Sequence, residues 1–259
     1  MIFDTHAHYD DKRFNEDRDA VLQKVRDAGV GLILNAGSSM KSSERSVALA
    51  QKYTYIFASV GVHPHNAEHV TDDDINTLMQ MAKTSPDRVC AFGEIGLDYY
   101  YDHSPRDLQV KAFRKQIDAA KQLELPVIIH SRDATKETLD ILRSENAGEN
   151  GGVLHCFSGS PEVMHEVVRM GFYVSFGGVV TFKNAVKAIA SVREIPIERL
   201  LIETDCPYLA PTPFRGERND SSYLSYVIEK IADIRAVSPE EIETRTFQNG
   251  LDLFRQIVP

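Results

Sequence analysis

The alternation of short apolar runs with longer amphipathic segments is the feature that most constrains the fold of this chain. Eight apolar runs predict β-strands at residues 2–5, 31–35, 56–61, 89–93, 127–129, 153–154, 172–175 and 200–203. Helical patterns predict α-helices at residues 17–28, 42–52, 73–83, 105–123, 134–143, 161–170, 184–192 and 222–234, with a C-terminal helix opening near Ser238. Strands that are apolar throughout are typical of parallel sheets buried on both faces. Eight β/α units therefore predict an α/β fold of the (β/α)8 TIM barrel type.

The length and charge of the chain limit its organisation and its partners. Its 259 residues match the usual size of one barrel domain, about 250 residues, so we predict a single domain over residues 1–259. The formal net charge of -9 argues against a tight nucleic-acid binder without enzymatic activity. It does not exclude a nuclease, because divalent cations in a cleft reverse the local sign of charge.

The cysteines and the apolar runs bear on location. Cys90, Cys156 and Cys206 are odd in number and lack CxxC spacing, which favours a reduced cytoplasmic environment. No stretch carries the roughly 18 uninterrupted apolar residues of a membrane span, and the amino terminus lacks the pattern of a secretion signal. We therefore predict a cytoplasmic protein with no membrane association and no obligate protein partner.

Six side chains of metal-binding type stand just past predicted strands. They are His6, His8, Glu94, His130, His155 and Asp205. In parallel α/β folds, ligands gather at the carboxyl ends of the strands, so groups far apart in sequence can converge there. His6 and His8 are two residues apart and can face one ion from the same side of a strand. Two hydrogen-bonded polar side chains would explain that pair alone, but four more candidates on separate strand ends favour a metal site.

The number of these side chains indicates two ions. Six protein ligands exceed what one zinc-like ion takes with a water position left open, whereas two ions that share a carboxylate would use all six. Glu94 is the natural bridge, because the glycines that flank it allow close approach of the backbone. The imidazoles suit transition metals more than calcium, and we expect two divalent cations of zinc, manganese, magnesium, cobalt or iron. Glu203 is either a hydrogen-bond partner of a histidine ligand or part of a buried ion pair.

Three further residues are candidate substrate contacts. His63 follows the third strand and could donate to a substrate oxygen, Arg132 could bind a phosphate with two N–H groups, and Arg215 lies in a proline-rich loop after the last strand. A packed loop histidine, a salt bridge at a helix start and a solvated loop charge are the respective alternatives. The tyrosines at 99–101 could stack on bases or pack their loop. We assign no role to His65, His69, His103 and His165.

Six motifs, in the order found here, resemble those of the TatD-type metal-dependent hydrolases, often called TatD-type deoxyribonucleases, within the amidohydrolase-like barrel superfamily. The motifs are FDTHAH (3–8), GVHP (61–64), GEIGLDYY (93–100), HSRDA (130–134), HCFSG (155–159) and ETDCPYLAP (203–211). The resemblance covers almost the whole chain and implies a (β/α)8 barrel with two ions. One ion would be held by His6, His8, Glu94 and Asp205, and the other by Glu94, His130 and His155.

Two segments depart from the family pattern. Cys206 stands where serine is more frequent, and residues 215–222 lack the usual Glu-Pro or Gln-Pro ending. Both departures concern the expected substrate contacts rather than the metal ligands.

We expect a metal-dependent hydrolase of the TatD type that acts as a deoxyribonuclease on DNA phosphodiester bonds. In this hypothesis two ions activate water and neutralise phosphate oxygens, while Asp205 accepts the proton as the catalytic base. The same site would also suit a carbonyl substrate such as an amide, a lactone or an aminoacyl ester. A metal-binding protein without turnover is a third interpretation, although such a protein would need no base beside an open metal site.

Overall fold

Eight parallel strands in chain order build the sheet of this protein, seen in a computed structural model that describes residues 1–257. The strands are β1 (Ile2–Ala7), β2 (Val30–Asn35), β3 (Ile56–Val60), β4 (Val89–Asp98), β5 (Val127–Arg132), β6 (Gly152–Leu154), β7 (Tyr173–Phe176) and β8 (Leu200–Ile202). The sheet runs from β1 to β8 without a crossover in strand order, and β1 also contacts β8. This topology is that of the predicted (β/α)8 fold.

The α-helices alternate with the strands as the sequence predicts. Within residues 1–257 they are α1 (Arg18–Asp27), α2 (Met40–Lys52), α3 (Asp72–Thr84), α4 (Arg106–Gln122), α5 (Thr135–Ser144), α6 (Pro161–Arg169), α7 (Val186–Glu194), α8 (Leu224–Arg235) and α9 (Pro239–Leu253). The first seven each connect two consecutive strands, while α8 and α9 follow β8. The predicted C-terminal helix is therefore confirmed as α9.

The helix α4 shows how side-chain spacing produces this alternation. Phe113, Ile117 and Ala120, spaced by four and three residues, all lie on its buried side, and α4 packs against β4. A stripe with this spacing favours a helix that covers the apolar face of a sheet. Burying one large apolar side chain contributes about 1.5–3 kcal/mol, so the stripe holds α4 in place.

The strands β4 and β5 run further than the apolar runs that predicted them. The predicted strands end at residues 93 and 129, but the parallel ladder continues to Asp98 and Arg132, which are paired with each other. The ladder needs only backbone N–H and C=O groups, so polar side chains do not end it. Glu94 and His130 lie within their strands, as His6 lies within β1. The prediction that these three residues follow their strands is therefore wrong.

Backbone contacts divide the chain into two compact units. The first unit comprises Met1–Asn35, His155–Arg169 and Tyr173–Asp252, and it contains β1, β2, β7 and β8. Within the described residues, the second unit comprises Ala36–Leu154, Met170–Phe172 and residues 253–257, and it contains β3 to β6. The single domain over residues 1–259 stays a prediction.

Each unit buries apolar side chains of its own strands. The core of the first unit includes Phe3 and Ile202, and that of the second includes Phe92 and Ile128, each at most 1% exposed. Side chains that are buried this completely are close-packed and have little room to move. Polar residues at the carboxyl ends of the same strands are therefore held on a rigid base.

Helix length and the state of the cysteines are the structural features that bear on location. Across residues 1–257 no helix is both long and apolar enough to span a membrane. All three cysteines are free, and Cys90 and Cys206 are buried. The cytoplasmic location stays a prediction.

Candidate metal centre

In the first unit, His6, His8 and Asp205 bring three potential ligand atoms together. Nε2 of His6 lies 3.1 Å from Nε2 of His8, and Oδ1 of Asp205 lies 3.4 Å from the His8 nitrogen and 3.8 Å from the His6 nitrogen. Ligand atoms about 2.0–2.1 Å from a zinc-like ion in a tetrahedral site are separated by roughly 3.4 Å. The spacing and the nitrogen and oxygen donors therefore fit a divalent cation.

Backbone hydrogen bonds place Asp205 beside the two histidines. The amide of Asp205 donates to the His6 carbonyl at 2.9 Å, and the amide of His8 donates to the Cys206 carbonyl at 2.8 Å. Ala7 and Cys206 also form a parallel bridge, so the segment after β8 continues the pairing beside β1. Asp205 has a φ of 56°, a left-handed conformation that aspartate adopts more readily than most residues.

Asp4 tethers the segment that leads from β8 to Asp205. Its buried carboxylate accepts hydrogen bonds from Thr204 Oγ1 and Ser221 Oγ, both at 2.6 Å, and from the Thr204 amide at 3.0 Å. Burial raises the pKa of Asp4 to about 7, although these hydrogen bonds favour its charged form. The position of Asp205 thus depends on contacts beneath it as well as on the neighbouring histidines.

His155 joins the first group through its ring. The rings of His155 and His6 are stacked, with centroids 4.0 Å apart and an interplanar angle of 12°. Oε1 of Glu203 lies 3.3 Å from Nδ1 of His155 and accepts a hydrogen bond from the Cys156 amide at 2.6 Å. The other carboxylate oxygen of Glu203 is buried and has no hydrogen-bond partner within residues 1–257. The contact with His155 fits both roles predicted for Glu203, that of a partner to a histidine ligand and that of a member of a buried ion pair.

The charge of Asp205 is set by its neighbours. Burial raises the pKa of Asp205, but the hydrogen bond with His8 and the charges of His6, His8 and His155 outweigh burial and hold the pKa below its usual value. The carboxylate is therefore ionised at neutral pH. An ionised carboxylate can bind a cation or accept a proton.

Glu94, His130 and His63 form a second group of potential ligands, in the second unit. Oε1 of Glu94 lies 2.9 Å from Nδ1 of His130 and 3.5 Å from Nε2 of His63. The ring centroids of His63 and His130 are 4.3 Å apart. Glu94 and His63 are buried, and an unpaired charge at such a position would be costly. These donors also fit a divalent cation, and His63, predicted as a substrate contact, lies among predicted ligands.

The carboxylate of Asp98 contacts the second group through the ring of His130. Its Oδ2 lies 2.8 Å from Nε2 of His65 and 3.2 Å from Nε2 of His130, while its Oδ1 accepts from the amides of Tyr100 and Tyr101 at 3.0 and 2.9 Å. Burial raises the pKa of Asp98, but the hydrogen bonds from His130, the Tyr101 amide and His65 outweigh it and hold the pKa far below its usual value. Asp98 is therefore a fixed negative charge that orients the His130 ring.

Sequence reasoning missed Asp98 and His65. With His63, these two residues form a further set of side chains whose ligand atoms lie close together. The spacing of His63 and His65 repeats the spacing of His6 and His8, and this signal could have identified the second pair. Asp98 carried no comparable signal, because its partners come from another strand and from a loop.

The predicted substrate contacts have different surroundings. The guanidinium of Arg132 lies 4.0 Å from the ring centroid of Tyr100, and that of Arg215 lies 4.5 Å from the ring centroid of Phe182. Both arginines are exposed, and neither makes an ion pair within residues 1–257. The salt-bridge alternative for Arg132 is therefore not found. Contact of Arg132 and Arg215 with a substrate stays a prediction.

The fold and the site together define a class of protein. Imidazole and carboxylate groups at the carboxyl ends of parallel strands in a (β/α)8 topology are characteristic of metal-dependent hydrolases. Comparisons with known proteins give the family. A model described as TatD related DNase matches residues 3–255, so this chain belongs to the TatD related DNase family.

Individual relatives agree with this assignment. The protein named uncharacterized metal-dependent hydrolase YabD, from Bacillus subtilis, is 45% identical over 98% of this chain and 99% of its own length. The 3'-5' ssDNA/RNA exonuclease TatD of Cronobacter sakazakii is 34% identical over 98% of this chain and 97% of its own length. The crystal structure of YjjV, a TatD homologue from Escherichia coli, matches with a TM-score of 0.93 and 32% identity over 100% of this chain and 98% of that one. The protein is thus a metal-dependent hydrolase, and its predicted (β/α)8 fold is confirmed.

Proposed function

We propose that this protein is a two-metal deoxyribonuclease that hydrolyses phosphodiester bonds of DNA. The observation that carries the proposal is the gathering of imidazole and carboxylate donors in two groups, one around His8 and Asp205 and one around Glu94 and His130. Two divalent cations suit this reaction, because they can stabilise both the attacking and the leaving oxygen. The relative named as a 3'-5' ssDNA/RNA exonuclease supports a nucleic-acid substrate. Sharing of Glu94 between the ions, and binding of the second ion by His155, stay predictions.

Asp205 is the proposed base. Bound divalent cations would lower the pKa of water toward neutrality and neutralise phosphate oxygens. Asp205 is ionised, and His8 lies 3.4 Å from its Oδ1, so the carboxylate is held ready to take the proton of the attacking water. His63 would donate a hydrogen bond to a substrate oxygen, and Arg132 would pair with a phosphate through two N–H groups.

The replacement Asp205→Asn tests this role. Asparagine keeps the shape of the side chain but cannot accept the proton, so we expect phosphodiester cleavage to fall by about 100-fold or more. Metal content measured on the same samples shows whether both ions remain bound. The matched control is Asp73→Asn, at an exposed position at the start of α3, where activity should not change. Full activity of Asp205→Asn with both ions bound would overturn the role.

A substrate comparison tests the reaction itself. The metal-loaded enzyme is given single-stranded DNA beside a panel of amides, lactones and aminoacyl esters, with and without a chelator. We expect chelator-sensitive release of nucleotides. Activity on the carbonyl panel alone would instead identify a hydrolase of carbonyl substrates, and a metal-loaded protein inactive on both would be a metal-binding protein without turnover.

A further inference from the structure

Tyr100, Tyr101 and Arg132 form an exposed group beside the ligands of the second unit, here called the tyrosine–arginine platform. We propose that this platform binds single-stranded nucleic acid, with a base stacked on the tyrosines and a phosphate held by Arg132. The proposal rests on the proposed function, because it names the residues that would contact the bases and a phosphate of the nucleic-acid substrate. It also assigns a role to tyrosines for which sequence reasoning left two alternatives.

The platform is aromatic and open to solvent. Tyr100 is 58% exposed and Tyr101 is 50% exposed, so neither ring is packed into the core of its unit. Their centroids are 5.0 Å apart at an interplanar angle of 86°, and Tyr101 also stacks on His103 at 5.5 Å and 11°. The exposed ring of Tyr100 is the surface on which an incoming base would stack. Stacking of this kind tolerates any base, because every base has a π-face.

The backbone beneath the platform is fixed, which means that the exposure of the rings is built into the fold. Asp98 and Arg132 are paired at the ends of β4 and β5, and the amide of Tyr99 donates to the Arg132 carbonyl at 2.9 Å. The Oδ1 atom of Asp98 then accepts hydrogen bonds from the amides of Tyr100 and Tyr101. Three hydrogen bonds therefore hold the loop directly over Arg132. A preorganised surface loses less conformational freedom when it binds a ligand.

Arg132 supplies the charge that the platform needs. Its guanidinium lies 4.0 Å from the Tyr100 centroid and 4.7 Å from the Tyr101 centroid. In a chain of net charge -9, it has no carboxylate partner within residues 1–257, whereas the nearby Arg106 is bound by Asp102. A guanidinium that lies against aromatic rings keeps its N–H edge available for an anion. In nucleic acid the anion that accompanies each base is a phosphate.

The platform is connected to the second ligand group through β5 and through the Asp98 carboxylate. Arg132 follows His130 by two residues on β5, so the two side chains leave the strand on the same face. Asp98 binds the tyrosine amides through Oδ1 and His130 through Oδ2. A strand bound at the platform would therefore lie beside the Glu94 and His130 donors. In a duplex the faces of each base are covered by the neighbouring base pairs, whereas an unpaired strand can present a face to a tyrosine, which favours single-stranded over duplex substrate.

The test compares oligonucleotides with and without bases on the metal-loaded enzyme. Fluorescence anisotropy measures the affinity for oligothymidylate with uncleavable phosphorothioate linkages and for an abasic strand of equal length and charge. We expect wild-type enzyme to prefer the strand with bases. Tyr100→Ala should reduce this preference about five-fold or more, whereas Tyr100→Phe, which keeps the ring, should retain it.

Arg132→Ala should weaken binding of both strands and should reduce the slope of log affinity against log salt by about 0.7. The matched control is Tyr53→Ala. Nζ of Lys52 lies 4.8 Å from the centroid of this tyrosine ring, so the pair also joins a cation and a tyrosine, but it precedes the amino end of β3. This control should bind both strands as the wild-type enzyme does.

The outcomes separate the platform from the proposed function. An unchanged base preference in Tyr100→Ala and Tyr101→Ala, in samples whose circular dichroism matches wild type, would overturn the platform. Cleavage of unmodified DNA by the same wild-type enzyme tests the proposed function. Cleavage of DNA without a base preference would therefore support the nuclease proposal and contradict the platform. A base preference without cleavage would support the platform and contradict the nuclease proposal.

Discussion

The carboxylate of Asp98 lies on the opposite side of the His130 ring from Glu94. Oδ2 of Asp98 is 3.2 Å from Nε2 of His130, and Oε1 of Glu94 is 2.9 Å from Nδ1 of the same ring. A ring nitrogen that donates to a carboxylate fixes the tautomer and orientation of the imidazole and makes the other nitrogen the ligand. Asp98 is therefore a positioning residue for His130.

Replacing Asp98 with Asn should weaken metal binding by the second group. We expect a loss of about 10–100-fold in affinity, because the ring of His130 loses the charged acceptor that orients it. Titration calorimetry of manganese or zinc into metal-stripped protein measures the change. The control is Asp102→Asn in the loop that follows β4, whose carboxylate binds Arg106 at the surface and whose φ of 53° suits asparagine. Equal affinity of wild type and Asp98→Asn would contradict the positioning role.

The main elements of the fold could be predicted because each buried parallel strand must be apolar on both faces. Segments such as 127–129 and 200–202 show this composition directly, and the stripe on α4 shows the helical spacing. The candidate ligands were found for the same reason. His155 and Asp205 are polar residues at the ends of apolar runs, where a parallel fold gathers such groups.

The extent of β4 and β5 and the role of Asp98 could not be predicted. The ladder from Ile95 to Asp98 is made by the backbone, and its side chains carry no strand pattern. Asp98 acts through His130 on the neighbouring strand, so its function depends on register. Sequence patterns report burial and local spacing, whereas register is set by the assembled sheet.

Glu203→Gln should separate stability from metal binding. In the absence of metal we expect the variant to be more stable by on the order of 1 kcal/mol, because a buried carboxylate with one unpartnered oxygen becomes neutral. With metal we expect weaker binding, because His155 loses its charged partner 3.3 Å from Nδ1. Thermal unfolding in chelator and in manganese measures both effects. Glu203→Ala is the contrasting variant, since it leaves the Cys156 amide without its acceptor and should lower stability. A metal-free Glu203→Gln protein that melts below wild type would contradict the expectation.

Arg215 and Arg218 should respond differently to replacement. Arg218 binds Asp17 through two N–H groups at 2.9 and 2.6 Å and donates to the Arg13 carbonyl at 2.6 Å, so Arg218→Ala should lower thermal stability. Arg215 makes no ion pair within residues 1–257, so Arg215→Ala should leave stability unchanged and lower kcat/KM on DNA if it contacts a phosphate. Melting curves and steady-state kinetics on both variants decide this. Unchanged kinetics in Arg215→Ala would remove it from the substrate contacts.

The ion pair of Asp17 and Arg218 should make a pH-dependent contribution. The hydrogen bond from Arg218 lowers the pKa of Asp17 in the folded protein, so the pair stabilises the fold above the unfolded pKa, and this contribution is lost as pH falls through the folded value. Asp17→Asn should therefore lower the free energy of unfolding at neutral pH by less than about 1 kcal/mol, because the pair is exposed. In acid below the lowered pKa the two proteins should melt alike. A difference that persists there would show that the carboxylate charge is not its source.

Replacing the predicted ligands one at a time should show how many ions each ligand helps to bind. His8→Ala and His130→Ala remove a donor from the first and the second group respectively, and each should reduce the metal content from two ions to one at moderate metal concentration. Glu94→Gln should lower the affinity for both ions if Glu94 is the shared carboxylate, and for one ion if it serves the second group alone. Metal analysis after dialysis against defined manganese concentrations counts the ions.

The control is the His69→Ala variant, at an exposed histidine outside both groups, which should retain both ions. Because a cation stabilises the fold by about 2.7 kcal/mol at a concentration 100 times its Kd, the same variants should show a matching loss of metal-induced thermal stabilisation.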